Sequence, residues 1–208
     1  GHDHPRLAVA ALRHLVIDPR PLHGGERLGC RGAFDRRHRF SRDVPYDHAA
    51  GAHRFAIDVN ASVSEVVESM RGDAERRGMV VVTRYSETPL VIDGDQFALA
   101  RVYRNLLTNA LQATEPGGRV TVSTAPVGAE VAIAFADTGA GIPSDKLGAI
   151  FEDFVTTKRH GLGLGLAVSK RIVEQLDGTI DVESEVGRGT CFTLRFKARN
   201  AEPRAAAS

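Results

Sequence analysis

Cysteine is scarce: the 208 residues hold two, Cys30 and Cys191, far apart and in dissimilar surroundings. Neither a disulfide framework nor a cysteine-bound metal cluster is expected from that pair. No charge sign dominates either, since 27 Lys and Arg face 26 Asp and Glu for a formal net charge of +1. That balance lacks the basic excess of nucleic-acid binders and argues against a polyanion partner. Long apolar runs are missing too. Nothing approaches the ~20 apolar residues that cross a bilayer, and the start lacks the basic, hydrophobic and small-residue order of a signal peptide. A cytoplasmic chain with no membrane segment is expected. The first residue is Gly, not Met, which reads as a fragment or a processed chain. The length suffices for one sizeable domain and a shorter companion segment.

Missing lysine marks a boundary. Residues 1–54 hold seven of the eight histidines and many arginines but no lysine. Pro19, Pro21, Gly24, Gly25, Gly29 and Pro45 interrupt long helices there, and only Leu7–Ile17 reads as a short apolar one. Beyond residue 54 regular patterns take over. Ser62 and Glu65 fit a capping box, and Val63, Val66, Val67, Met70 and Ala74 follow at helical spacing until Gly78. A β-branched strand is expected at Met79–Thr83. Asp95 caps a second helix running to about Thr114, where Pro116, Gly117 and Gly118 stop it. Alternation predicts strands at Val120–Val122 and Val131–Phe135 around a Pro126–Gly128 turn. A loop-rich stretch spans Asp137–Gly165, and a third helix covers Leu164–Leu176. Strands at Ile180–Val182 and Phe192–Phe196 flank a turn at Gly187 and Gly189. The Ala-rich residues 198–208 are expected to be disordered. The expected class is α+β, a mixed sheet covered on one face by about three helices.

Four features of residues 55–197 carry chemistry. Asn105 and Asn109 sit four apart in the second helix, so both amides project from one face. An amide oxygen is a hard, neutral ligand suited to Mg²⁺; two solvent-facing or capping Asn residues would read the same way. Asp137-Thr138-Gly139-Ala140-Gly141-Ile142-Pro143 follows an apolar strand, where a carboxylate can accept from an exocyclic amine and glycines allow close approach. An ordinary strand-ending turn also uses Asp and Gly. Phe151–Lys158 offers aromatic anchors, hydroxyls and one ammonium suited to a terminal phosphate, with a solvated loop lysine as the plain alternative. Gly161-Leu162-Gly163-Leu164-Gly165 runs straight into a helix, and such a junction attracts anions. The alternating leucines would be wasted in a flexible linker. A Walker-type loop is excluded because Leu and Ala stand where Lys and Ser/Thr are needed, and a dinucleotide fingerprint because no strand precedes the glycines.

These four boxes, in this order, resemble the histidine-kinase branch of the ATPase superfamily that also holds DNA gyrase, mismatch-repair ATPases and heat-shock chaperones. The resemblance covers about residues 55–197. It implies a two-layer α/β sandwich, the Bergerat-type ATP-binding fold, with ATP under a flexible lid. It further implies that Asn109 ligates Mg²⁺, that Asn105 supports the phosphate–metal region, and that Asp137 binds the adenine amine. Gly139, Gly141 and Ile142 would shape the pocket. Lys158 and the backbone of Gly161, Leu162, Gly163, Leu164 and Gly165 would face the phosphates, and Thr190 would reach the adenine site. Asn105, Asn109 and Lys158 are thus the residues expected to serve catalysis. The run from Thr156 to Ile180 is similar to kinases of the nitrogen-regulation type, which have a short lid. Asp153 and Val155 replace a Pro and a Phe of the family's aromatic box, a change expected to loosen the lid and leave the phosphate contacts.

The resemblance implies an ATP-dependent protein-histidine kinase of a two-component system, with ATP and Mg²⁺ as cofactors and a response-regulator receiver domain as partner. Such a kinase also needs a substrate histidine on a helical-hairpin dimerisation domain, through which an intact chain would form a homodimer. His2-Asp3 is a poor match to the expected histidine box, with Pro5 in the first turn and His4 competing; tag-derived or surface histidines read the same way. Residues 1–54 therefore read as a degenerate or frame-shifted remnant of that domain. A nucleotide-binding regulatory module without autokinase activity is the alternative, and the long aromatic box argues against a serine-directed kinase of the same superfamily.

Overall fold

The computed structural model describes residues 54–153 and 164–199. The expectations for His2, the N-terminal segment before residue 54, Lys158, Gly161, Leu162, Gly163 and the tail beyond 199 lie outside the described residues.

Apolar periodicity begins one turn earlier than the capping-box reading placed it. Helix α1 spans Val59–Arg76, and its N-cap is Asp58, whose carboxylate accepts from the Ala61 N–H at 3.0 Å. Ser62 is not the cap but a buried residue inside the helix. The physical reason is Val59, fully buried and joined to Leu90 O by its N–H: it belongs to the same stripe as Val63, Val66 and Val67. The cap is supplied by a short strand the sequence did not announce, β1 (Phe55–Asp58), which pairs antiparallel with another, β3 (Val91–Gly94).

Helix α2 (Gln96–Ala113) starts where expected. Asp95 Oδ1 accepts from the N–H groups of Phe97 and Ala98, at 2.8 and 3.0 Å. Its apolar stripe, Leu99, Val102, Tyr103, Leu106, Leu107, Ala110 and Leu111, is buried throughout. Burying such side chains contributes roughly 1.5–3 kcal/mol each, so this helix anchors the core. Thr114 ends it, its hydroxyl donating to Ala110 O.

The main sheet has five strands, β2 (Val80–Arg84), β4 (Arg119–Val127), β5 (Glu130–Asp137), β6 (Thr179–Glu185) and β7 (Gly189–Lys197), in the order β2-β4-β5-β7-β6. β2 runs parallel to β4 and every other pairing is antiparallel, which makes the sheet mixed. Alternation sorts its residues. Val120, Val122, Val131, Ile133, Phe135, Phe192, Leu194 and Phe196 join the helices in one core, while Ala132 and Ala134 form a separate small cluster with Ala125, Val127 and Cys191.

Helix α3 (Ser144–Leu147) is a single turn inside the stretch read as loop. Helix α4 (Gly165–Gln175) packs on α2 and ends at Leu176, after which Asp177 takes a positive φ of 57°. Arg54, the first described residue, reaches that helix end, donating to Gln175 O at 2.6 Å and pairing with Asp177. This is the expected α+β sandwich, with α1, α2 and α4 as its helical layer.

Candidate functional site

Asp137 closes β5 at the end of the sheet and is 8% exposed. Its Oδ1 accepts from the N–H groups of Gly139 (2.8 Å) and Thr190 (3.2 Å). Both bonds converge on that one oxygen, which leaves Oδ2 without a partner among the described residues. Burial pushes the carboxyl above its ordinary range, against the smaller downward pull of the two backbone donors. A buried carboxylate whose charge is incompletely matched is poised to accept from a ligand's amine.

The loop after Asp137 is threaded through a gap that only glycine can pass. A Cβ on Gly139 would lie 2.2 Å from Ala113 O at the end of α2. One on Gly141, whose φ is +71°, would lie 2.1 Å from Glu185 O at the β6–β7 turn. Two backbone bonds stitch the loop down, Ala140 N–H to Ala113 O and Gly187 N–H to Ala140 O. Ser184 then ties two expected residues, Ile142 and Thr190, together. Its Oγ accepts from Ile142 N–H at 2.8 Å and lies 2.9 Å from Thr190 Oγ1, with Gly189 O at 3.0 Å. Asp137, Gly139, Gly141, Ile142 and Thr190 are therefore neighbours. Ser184 was not singled out in the sequence, because its role depends on partners on other elements.

Asn105 and Asn109 lie on α2, both half-buried. Asn105 Nδ2 donates to Ser169 Oγ on α4 at 2.9 Å. Gly165, the first residue of α4, sits so close that a Cβ there would fall 2.5 Å from Asn105 Oδ1. The asparagine helix and the end of the glycine run are thus in contact. Ala113, which touches the Asp137 loop, is four residues from Asn109 and eight from Asn105. A rise of ~1.5 Å per residue puts the two amides about 6 and 12 Å back along the helix axis.

The start of the aromatic box is held on two sides. The Phe151 ring meets Phe192 edge-on at 6.3 Å between centroids, and Lys170 Nζ stands 5.7 Å from its centroid. Asp153, at the position where the family favours Pro, pairs with Arg171 at 2.5 Å. Both cationic partners come from α4. A shallow hollow lined by Glu115, Pro116, Gly118, Thr138, Gly139, Ala140 and Gly187 meets the expected residues only at Gly139, so it is not where they converge. Among the described residues no group of three His, Cys, Asp or Glu could hold a metal, and no helix is long and apolar enough to cross a membrane.

Residues 94–200 match the family described as "Histidine kinase-, DNA gyrase B-, and HSP90-like ATPase". The sensor histidine kinase ZraS of Escherichia coli (strain K12) is 40% identical over 139 residues, 67% of this chain and 30% of that protein. Sporulation kinase C of Bacillus subtilis (strain 168) is 35% identical over 137 residues, 65% of this chain and 32% of its own length. Full-length ShkA, solved in complex with AMPPNP, is similar with a TM-score of 0.66 at 29% identity, over 73% of this chain and 33% of that one. The chain spans about a third of the length of these relatives. With its helices over one side of a five-stranded mixed sheet and half of its residues inside the matched region, the chain belongs to the histidine kinase-, gyrase B- and HSP90-like ATPase family, alongside the catalytic domains of sensor histidine kinases.

Proposed function

We propose that this domain binds Mg·ATP with its base at Asp137 and its phosphates between Asn109 and the start of α4, and passes the γ-phosphate to a histidine. The observation that carries the reading is the layout along α2. One end of that helix touches the Asp137 loop through Ala113, and Asn105, two turns back, touches Gly165. A nucleotide laid along that line would meet a buried carboxylate first and amide oxygens and helix N–H groups last. That is the order of an amine-bearing base followed by phosphates.

The donor chemistry fits the group. With no acidic cluster among the described residues, a divalent cation would rest on the Asn109 amide oxygen and on phosphate oxygens, as suits Mg²⁺. Mg²⁺, when bound, supplies neutralisation of phosphate charge, the main demand of phosphoryl transfer. The chain's own residues position: Asp137 orients the base through Oδ2, Thr190 and Ser184 hold that carboxylate's surroundings, and Asn105 fixes the phosphate end. Lys158 and the backbone from Gly161 to Gly165 are assigned to the phosphates by their place in the run. ShkA, solved with AMPPNP, supports a nucleotide triphosphate as ligand.

The receiving histidine, a dimerisation hairpin and a response-regulator receiver domain belong to the same proposal, with residues 1–54 as a remnant of the hairpin region. Translation of the coding DNA in its other two frames tests that last point; the remnant idea fails if neither frame yields a pair of amphipathic helices. For the site, nucleotide affinity of the whole chain is measured beside Asn109→Ala and Asp137→Ala. The first is expected to lose Mg²⁺-dependent binding and the second adenine selectivity; unchanged binding in both removes the assignment. Incubation with γ-labelled ATP and Mg²⁺ then separates kinase from regulatory module. Acid-labile, base-stable label supports transfer, and nucleotide binding without label supports the module.

A further inference from the structure

An asparagine amide at the middle of a helix is a poor positioning device on its own. Its terminal torsion is broad, and its oxygen and nitrogen can exchange places at little cost. Asn105 sits at such a place on α2, facing α4. Two small residues of α4 form its seat. Gly165 leaves room for Oδ1, where a Cβ would stand only 2.5 Å away. Ser169, four residues further along and so on the same helix face, takes the bond from Nδ2 at 2.9 Å and is 2% exposed.

We propose that Ser169 is a positioning residue for the phosphate end of the site: its hydroxyl fixes the Asn105 amide and so locks α4, with the glycine run at its head, to the asparagine face of α2. The inference rests on the reading of the site as an Mg·ATP site. The seat needs both parts. A larger residue at 165 would push the amide out, and without the hydroxyl at 169 the amide would lose the partner that settles its orientation. A neutral, part-buried hydrogen bond between helices also holds their relative slide, since the Ser169 hydroxyl is buried and Asn105 is its partner across the seam. Asn109 is one turn from Asn105 on the same face, so the register Ser169 imposes on α2 and α4 reaches the proposed metal ligand as well.

The test is a mutant cycle in the full chain with Ser169→Ala, Asn105→Ala and the double variant. ATP affinity is measured in Mg²⁺ and again in excess chelator, and the thermal midpoint is recorded for each. Ser169→Ala is expected to weaken ATP binding in Mg²⁺ about tenfold, to change binding in chelator far less, and to move the midpoint little. The double variant is expected to bind no worse than Asn105→Ala, since Ser169 acts through Asn105. A loss of equal size with and without Mg²⁺, or additive losses in the double variant, overturns the proposal in favour of a packing role. Wild-type chain that binds ATP while Ser169→Ala binds it equally well overturns the positioning role alone. Wild-type chain that binds no ATP removes the nucleotide reading and this inference with it.

Discussion

The two ends of the candidate site are built differently. Around Asp137 the backbone does the work: loop N–H groups, the β6–β7 turn and Ser184 fix every expected residue, and the glycines pass where a methyl could not. Around Asn105 a side-chain bond joins two helices, and the start of the aromatic box is held by ring contacts and an exposed ion pair. The first end is finished before any ligand arrives. The second depends on side chains, which under the proposed function would pair a fixed base pocket with a more adjustable phosphate region.

The contrast breaks most severely at the loop. Gly139→Val drives side-chain atoms into Ala113 O and is expected to destabilise the fold by about 3 kcal/mol or more; urea unfolding that matches the wild type would show the loop to be softer than its geometry. Next comes Asp137→Asn, expected to lower ATP affinity about a hundredfold because an amide nitrogen now faces the base. The same change should leave the apo fold as stable or more so. Because burial raises the Asp137 pKa, the folded chain holds that proton more tightly than the unfolded one. The resulting penalty is absent below the ordinary value of 3.8 and grows as pH rises through the folded value. Chemical unfolding from pH 4 to pH 7 should therefore show a downward contribution in the wild type that Asp137→Asn lacks. Least is expected of Arg171→Ala. Its pair with Asp153 is solvent-exposed, so the change should cost no more than about 1 kcal/mol and shift ATP affinity only a few-fold. A large loss of affinity, read by titration, would mean that this pair governs the lid.

Much of this architecture is legible in the sequence alone. Asp95 and the Pro116-Gly117-Gly118 stop gave α2 its ends, and the alternation of Val131, Ile133 and Phe135 gave β5. Local rules were enough where one residue and its near neighbours decide. They misled at Ser62, where a true capping-box spelling lies one turn inside a helix already capped by Asp58. They were silent on β1 and β3, four residues each, whose pairing joins Phe55 to Gly94 across the chain. Ser184 and Ser169 stayed hidden for the same reason, since each acts on a partner more than forty residues away. The expected loosening at Asp153 could not be weighed from sequence either, because Arg171, its partner, lies on another element.

Where the domain is cut has a consequence for anyone preparing it. Composition changes at residue 54, which invites a clone opening at Phe55. Such a clone would discard the guanidinium that clasps Gln175 O and Asp177 at the tail of α4. The carbonyl end of that helix would lose its cationic complement, and fraying there would begin at the far end of the eleven-residue helix headed by the glycine that seats Asn105.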